Sequence, residues 1–172
     1  MYNFPPHFSS RELVCRCGCG LCNPKDELLV LAEKVRHVLG DVPMYVTSCC
    51  RCEKHNKKVG GSPTSKHLTG RAMDFQVTAM SVFCAYAKIT AAWELGKLPE
   101  LGGIGLYVKK NFLHIDTFHA ADGHLRKCLE SSHPTSEEVE GFILHPRCWP
   151  WLGGCSPGHE FAPACLACPR WE

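Results

Sequence analysis

The sequence predicts an α+β fold in which helices pack on a small, mainly antiparallel sheet. Two segments, 24–39 and about 80–95, carry apolar residues at helical spacing. Short runs rich in β-branched and aromatic residues lie between and after them. The last two runs are separated by only a few polar residues, which is typical of a β-hairpin. Antiparallel pairing is therefore expected to dominate the sheet.

The first predicted helix follows Asn23 and Pro24. Asparagine is a favourable N-cap, proline is favoured at the first helical position, and acidic Asp26 and Glu27 suit the first turn. Apolar residues then recur at helical spacing until Gly40 ends the run: Leu28, Leu31, Ala32, Val35, Val38 and Leu39. We expect a core helix that begins at Pro24.

Strands are predicted on both sides of a polar, glycine-rich loop at 57–61. The first covers 44–48 and the second covers 71–77, each with β-favouring residues. A second helix is expected over about 80–95, with Gly96 just past its end. The sequence thus predicts two helices and two strands before the hairpin.

The predicted hairpin joins residues 103–108 to 112–117. Its connection is Lys109-Lys110-Asn111, a short polar segment suited to a turn. From about residue 131 the composition shifts to proline, glycine, tryptophan and cysteine without amphipathic period. We expect one compact domain over 1–130 and an appended extension over 131–172, since 172 residues are too few for two full domains.

Charge and hydropathy exclude several classes of function. The formal net charge is +2, and no run of Lys or Arg has the density of a nucleic-acid or membrane-surface patch. Neither a signal peptide nor an apolar stretch of about 18 residues is evident. We expect a monomer without a membrane span, located in the cytoplasm or released by a separate export or lysis route.

A zinc site is indicated by the segment 65–74. His67 lies on a predicted loop, and Asp74 lies on the strand that this loop enters, so one turn can bring both side chains together. Catalytic zinc usually takes three protein ligands, with imidazole nitrogen and carboxylate oxygen among the accepted types. His114, in an apolar strand, is the best placed third ligand. The alternative is a surface-loop histidine at 67 and a buried structural histidine at 114.

These residues also resemble a known family. Ser-x-His-x-x-Gly-x-Ala-x-Asp at 65–74, Gly-Gly-Ile-Gly-Leu-Tyr at 102–107 and Phe-Leu-His-Ile-Asp at 112–116 are similar to the D-alanyl-D-alanine carboxypeptidase family of zinc peptidases. The family includes peptidoglycan endopeptidases and is related in fold to the hedgehog signalling domain. The resemblance covers about two-thirds of the chain. It also includes Phe-Ser-Ser-Arg-Glu-Leu at 8–13, Cys-Arg-Cys-Gly-Cys-Gly at 15–20, Thr47, Ser48, Arg51, His55 and Asn56.

The resemblance implies roles for matching positions only. His67, Asp74 and His114 fall where the family has its zinc ligands. Ser65 falls where a hydroxyl lies beside the metal and contacts substrate, and Arg51 matches an arginine that faces the active site. A guanidinium there suits a substrate carboxylate or an oxyanion, although surface arginines also form simple ion pairs. The implied substrates are peptidoglycan peptides, cut by water that zinc activates.

The general base is where this chain departs from the family. Relatives have an acidic residue three positions before the last histidine ligand or a histidine two before it, and here Asn111 and Phe112 stand there. Neither side chain can accept the proton. Asp116 lies two residues after His114 and faces the same side of an extended strand. We expect it to be the base or a partner of the zinc histidine, with His119 and His55 as further candidates.

Thirteen cysteines, an odd number, cannot all pair within one molecule. Cys49 and Cys50 replace the Gly-Tyr of the family signature; packing is the simplest role for them, with a second metal or an altered pocket as alternatives. The crowded set near the N-terminus includes a triplet that is usual in the family. A second, structural zinc is a hypothesis for four cysteines of the extension: Cys148, Cys155, Cys165 and Cys168.

Three functions remain open on sequence alone. The first is a zinc-dependent peptidase acting on peptidoglycan stem peptides, as carboxypeptidase or endopeptidase. The second is a non-catalytic zinc-binding recognition module on the same scaffold, which the unusual residues at the base positions favour. The third is a redox or metal-handling protein built around its cysteines.

Overall fold

The computed structural model describes residues 5–119, 121 and 123–129. Within this part of the chain it shows the predicted α+β fold, with four α-helices, one 3₁₀ helix and one five-stranded sheet. The α-helices are α1 (Ser10–Leu13), α2 (Asp26–Val38), α3 (Glu53–Lys58) and α4 (Val82–Glu94). The strands are β1 (Met44–Ser48), β2 (Ala72–Val77), β3 (Gly103–Tyr107), β4 (Phe112–Asp116) and β5 (Arg126–Leu129).

The sheet has the strand order β1-β2-β4-β3-β5. All neighbouring pairs are antiparallel except β3 and β5, which run parallel. The expectation of a mainly antiparallel sheet is therefore confirmed. The order places β2 and β4 side by side in the interior of the sheet, although β3 and helix α4 separate them in sequence.

One face of the sheet is covered by two helices. Helices α2 and α4 contact each other, and both pack against β2. Because successive strand residues point to opposite faces, Met73 and Phe75 of β2 enter this core while Asp74 faces the other way. In β4, Leu113 and Ile115 likewise enter the core. Asp74 and His114, which alternate with these core residues, lie on the face of the sheet away from α2 and α4.

Helix α2 begins two residues later than predicted, at Asp26 with Lys25 as N-cap. The expected cap Asn23 donates its backbone N–H to Cys50 Sγ at 3.3 Å, and Lys25 N–H donates to the Gly70 carbonyl at 2.8 Å. These contacts hold the segment before the helix against neighbouring loops. The prediction of Pro24 at the first helical position was wrong, because Lys25 keeps an extended backbone that its bond to Gly70 supports, and the helix begins after it.

Helix α4 and the hairpin agree closely with the sequence. Ser81 caps α4 by accepting the Cys84 backbone N–H, and Gly96 follows the helix with a left-handed φ of 69°. In the hairpin turn Asn111 adopts a φ of 51°, a conformation that asparagine tolerates better than most residues. The predicted helix and turn are confirmed, with helix ends within two residues.

Three short elements were not anticipated. Helix α3 overlaps the segment predicted as a loop at 57–61, His67 lies in a 3₁₀ helix (Lys66–Thr69), and β5 adds a fifth strand. No helix among the described residues is long and apolar enough to cross a membrane. The boundary between a domain over 1–130 and an extension over 131–172 stays a prediction, since residues 130–172 lie outside the described residues.

Candidate metal centre

The three predicted zinc ligands converge on the sheet face away from α2 and α4. Asp74 of β2 is paired directly with His114 of β4 in the antiparallel register. The 3₁₀ helix packs against β2 and brings His67 to the same point. One ligand atom from each of the three residues lies within 4.8 Å of the other two. The geometry therefore joins residues that are 40 positions apart in sequence.

His67 is held in one orientation by the backbone. It is buried, and its Nδ1 lies 2.7 Å from the Cys49 carbonyl oxygen. A carbonyl can only accept a hydrogen bond, so Nδ1 carries the proton and Nε2 presents its lone pair. That Nε2 lies 3.1 Å from Asp74 Oδ1. Two lone-pair atoms at this distance require a cation between them, either a proton or a metal ion.

His114 is held through both of its ring nitrogens. Nδ1 lies 2.7 Å from Asp74 Oδ1, and Nε2 lies 3.3 Å from Asp116 Oδ2. Burial disfavours the protonated ring, but hydrogen bonds to Asp116 and Asp74 and their charges outweigh it and raise the pKa of His114 to about 9. The surroundings of this ring thus favour positive charge. The opposite residue on β3 is Gly105, where a side chain would crowd Cβ of His114.

Asp74 accepts contacts on both carboxylate oxygens. Oδ1 faces the two histidines, and Oδ2 accepts from Arg51 Nη2 at 2.5 Å. Burial opposes ionisation of this carboxyl, yet the hydrogen bonds from His114 and His67 hold its pKa well below the ordinary value. An ionised carboxylate beside two imidazole nitrogens is a donor set that zinc accepts. The residues present therefore fit a zinc ion.

Arg51 reaches the centre through Asp74. Its Nε donates to Ser48 Oγ at 2.7 Å, and its side chain is only 14% exposed. The Arg51 backbone N–H also donates to the His67 carbonyl at 3.1 Å. The structure places this arginine against the metal centre, as its position in the sequence motif implied. Its contact with substrate stays a prediction.

Ser65 stands at the start of the 3₁₀ helix as its N-cap residue, two positions before His67. Its side chain is half-buried and forms no capping hydrogen bond. Among the described residues the hydroxyl has no hydrogen-bond partner, while the Ser65 backbone N–H donates to the Ser62 carbonyl at 3.0 Å. A substrate group can therefore use this hydroxyl without breaking an existing bond.

Asp116 faces the same side of β4 as His114, as the strand period predicted. Oδ2 contacts His114 Nε2, while Oδ1 accepts from the Phe118 backbone N–H at 2.8 Å and from Arg126 Nη2 at 2.5 Å. Burial raises the pKa of Asp116, but the bonds from His114 and Phe118 and the Arg126 charge hold it below the ordinary value. Both oxygens are engaged, so Asp116 is arranged as a partner of the histidine.

The other candidates for the base are not part of the converging group. Asn111 lies in the hairpin turn and Phe112 begins β4, where its ring stacks on Tyr107 at a centroid distance of 4.4 Å. His55 lies in α3 and His119 is exposed after β4; neither belongs to the group of converging ligand atoms. No base role is demonstrated for any of these residues.

Three contacts of the centre were not predicted from the sequence. They are the Cys49 carbonyl that orients His67, the Ser48 hydroxyl that holds Arg51, and Arg126, which binds Asp116 from β5. A backbone carbonyl leaves no trace in residue type, and β5 itself was not predicted. The proposed zinc ligands of the extension, Cys148, Cys155, Cys165 and Cys168, lie outside the described residues.

Comparison with known proteins agrees with this geometry. The model of the family described as Peptidase M15 matches residues 6–116. The matched range includes His67, Asp74 and His114, and it ends at Asp116. No curated protein matches the chain. The family match confirms the resemblance seen in the sequence motifs.

Proposed function

The chain belongs to the peptidase M15 family of zinc metallopeptidases, which includes D-alanyl-D-alanine carboxypeptidases, and we propose that it hydrolyses a peptide bond in peptidoglycan stem peptides. The observation that carries this proposal is the convergence of His67, Asp74 and His114 within 4.8 Å. We assign these three residues as the zinc ligands. Three protein ligands are the usual number at a catalytic zinc, since one position is needed for water or substrate.

The side chains already define which atoms would bind the ion. His67 would use Nε2, because its Nδ1 is committed to the Cys49 carbonyl. His114 would use Nδ1, because its Nε2 is held by Asp116. Asp74 would use Oδ1, because Oδ2 accepts from Arg51. When bound, zinc supplies a Lewis acid that polarises the scissile carbonyl and makes water a nucleophile near neutral pH.

Arg51 and Ser65 are assigned to substrate binding. Arg51 uses Nε and Nη2 on Ser48 and Asp74, and among the described residues Nη1 forms no hydrogen bond. A planar guanidinium held in this way can offer its remaining N–H donors to a terminal carboxylate or to a developing oxyanion. Ser65, at the start of the 3₁₀ helix, offers a hydroxyl to the peptide backbone. Both groups suit short, carboxylate-terminated peptides.

Asp116 is assigned as a positioning residue in this proposal. Its Oδ2 accepts from His114 Nε2, which fixes the ring so that Nδ1 points toward Asp74. Carboxylates that hold a metal-binding histidine in this way raise the basicity of the ligand and fix its tautomer. Arg126 and the Phe118 N–H in turn fix the carboxylate. The role of Asp116 as the general base is the alternative that its mutation must distinguish.

A second candidate function is a non-catalytic zinc-binding recognition module. The residues at the base positions favour it, because Asn111 and Phe112 stand where relatives carry a proton acceptor. Both oxygens of Asp116 are already engaged by other groups. Such a module would keep the three zinc ligands. It would bind wall peptides without cutting them.

Incubation of the zinc-loaded full chain with purified peptidoglycan separates these functions. Release of D-alanine supports a carboxypeptidase, and new amino groups within the stem or cross-bridge support an endopeptidase. Either activity should vanish in His67→Ala and persist in His37→Ala, which changes an exposed histidine. Full zinc loading without cleavage of any wall peptide would overturn the peptidase and support the recognition module.

A further inference from the structure

A second group of potential metal ligands lies outside the centre described above. Four sulfur atoms lie within 4.8 Å of one another, and we call this set the four-cysteine cluster: Cys15, Cys17, Cys19 and Cys52. All four are free thiols, and two of the sulfur–sulfur distances are 3.4 and 3.5 Å. Cys15, Cys17 and Cys19 belong to one short segment before β1, and Cys52 follows β1 in the sequence.

The sulfur spacing fits a tetrahedral ion better than disulfide bonds. With Zn–S bonds of about 2.3 Å, the sulfurs of a tetrahedral site lie about 3.8 Å apart. A disulfide requires about 2.05 Å and joins sulfurs in pairs. In the four-cysteine cluster, Cys17 Sγ lies near both Cys15 Sγ and Cys52 Sγ instead of pairing with one of them. We propose that the four-cysteine cluster binds a structural zinc ion through four thiolates.

The backbone shapes the first three ligands into a closed loop. The Cys15 N–H donates to the Leu21 carbonyl at 2.8 Å, and the Gly18 N–H donates to the Cys15 carbonyl at 3.3 Å. Gly18 and Gly20 have left-handed φ values of 81° and 77°, which glycine adopts without steric cost. These turns bring alternate cysteines to one side of the loop. The motif thus folds into a shape suited to ion binding.

The sulfur atoms also receive backbone hydrogen bonds. The Cys52 N–H lies 3.4 Å from Cys15 Sγ, and the His55 N–H lies 3.4 Å from Cys52 Sγ. Donors aimed at sulfur stabilise the thiolate that a metal ion needs, and binding releases the thiol protons to solvent.

An ion in the four-cysteine cluster would link two segments that flank the catalytic centre. Cys52 follows Arg51 directly, and Arg51 holds both Asp74 and the His67 carbonyl. On the other segment, the Leu13 carbonyl accepts from the Cys50 N–H at 3.1 Å. The ion would therefore fix the segment that carries Arg51. Its role is structural, since all four ligands come from the protein and no position is left for substrate.

Metal analysis of the full chain tests this proposal. We expect His67→Ala to keep zinc bound through sulfur, and His67→Ala combined with Cys52→Ser to contain one equivalent less. Cys128→Ser in the same background is the matched control, because Cys128 is outside the cluster, and it should lose none. Comparison within one background also separates this site from any zinc on cysteines of the extension. Equal zinc in the Cys52→Ser and Cys128→Ser variants would overturn the proposal.

Thiol alkylation with peptide mapping tests it in the unmodified chain, where misfolding of a variant cannot interfere. Cys17, Cys19 and Cys128 are all exposed, so exposure alone predicts similar rates for the three. Bound zinc should protect Cys17 and Cys19, and a chelator should bring them to the rate of Cys128. Equal rates before chelation, or a disulfide within the cluster, would contradict the assignment.

Discussion

Asp116 and Asp74 contact opposite nitrogens of one imidazole ring: Asp116 Oδ2 lies 3.3 Å from Nε2 of His114, and Asp74 Oδ1 lies 2.7 Å from Nδ1. The ring is therefore held in a fixed orientation between a proposed metal ligand and a proposed positioning residue. Asp116 is itself fixed by Arg126 and by the Phe118 N–H. These contacts let Asp116 orient His114, and the sequence offered Asp116 as either the base or a partner of this histidine.

Replacement of Asp116 by asparagine distinguishes the two roles. If Asp116 positions His114, the asparagine variant should bind zinc about 10–100-fold more weakly, because the amide cannot fix the histidine as the carboxylate does. At saturating zinc, kcat should then largely recover. Competition with a chelating dye measures the affinity, and Asp26→Asn, at an exposed position of α2, is the control. A large loss of kcat with unchanged zinc affinity would identify Asp116 as the base instead.

Arg51→Lys tests the assignment of the carboxylate clamp. Lysine keeps the charge but cannot hold Ser48, Asp74 and a substrate group with one planar fork. We expect kcat/KM at saturating zinc to fall by roughly one to two orders of magnitude for peptides with a free C-terminal carboxylate. Peptides with an amidated C-terminus should lose less. Arg11→Lys, at an exposed position of α1, should change neither. Equal losses for acid and amide would limit Arg51 to holding Asp74.

The contribution of the His114 ring to the stability of the zinc-free protein should fall as pH rises from about 6.5 to 9. The pKa of His114 is raised from 6.5 to about 9, so the stability gained from the protonated ring is complete below 6.5 and lost as pH passes through 9. The lowered pKa of Asp74 adds no change in this window, since the carboxylate stays ionised.

The difference in Tm between the parent and His114→Gln, both with chelator, measures this contribution across the pH range, because the thiols that also titrate there are common to both proteins. With zinc the trend should disappear or reverse, because metal ions compete better with protons at higher pH. His37→Ala should retain the dependence of the parent, since that ring is exposed. A Tm difference between the parent and His114→Gln that stays constant from pH 6.5 to 9 would contradict the prediction.

Gly70→Ala should destabilise the fold and weaken zinc binding. Gly70 ends the 3₁₀ helix with a φ of 67°, and a Cβ there would lie against the Asn23 backbone carbonyl. Gly96 has a φ of 69° but open space around it. Gly96→Ala should therefore cost only the backbone strain, about 1–2 kcal/mol. Gly70→Ala should cost about 1–3 kcal/mol more through overpacking. Denaturant unfolding of both variants measures the difference, and equal losses would refute the crowding argument.

The sequence predicted the parts of the fold that local pattern determines. Helical spacing located α2 and α4, and short runs of β-favouring residues located β1, β2 and the hairpin. The two-residue strand period also placed His114 and Asp116 on one side of β4, as the structure has them. These features depend on local spacing and on one buried face, so a single sequence contains enough information.

The remaining features depend on contacts between distant segments. Helix α3 and the 3₁₀ helix are too short to persist by propensity, and they form where the loops around His67 are held by neighbouring backbone. Strand β5 pairs in parallel with β3, which no local pattern announced. The approach of Cys52 to the cysteine triplet likewise follows from the packing of β1 and α1. Such contacts require the tertiary fold.

Anomalous diffraction at the zinc absorption edge, from crystals of the full zinc-loaded chain, tests the central claim most directly. We predict a peak within about 2.0–2.2 Å of Nε2 of His67, Nδ1 of His114 and Oδ1 of Asp74. A protein that contains zinc but shows no anomalous peak among these three atoms would contradict it.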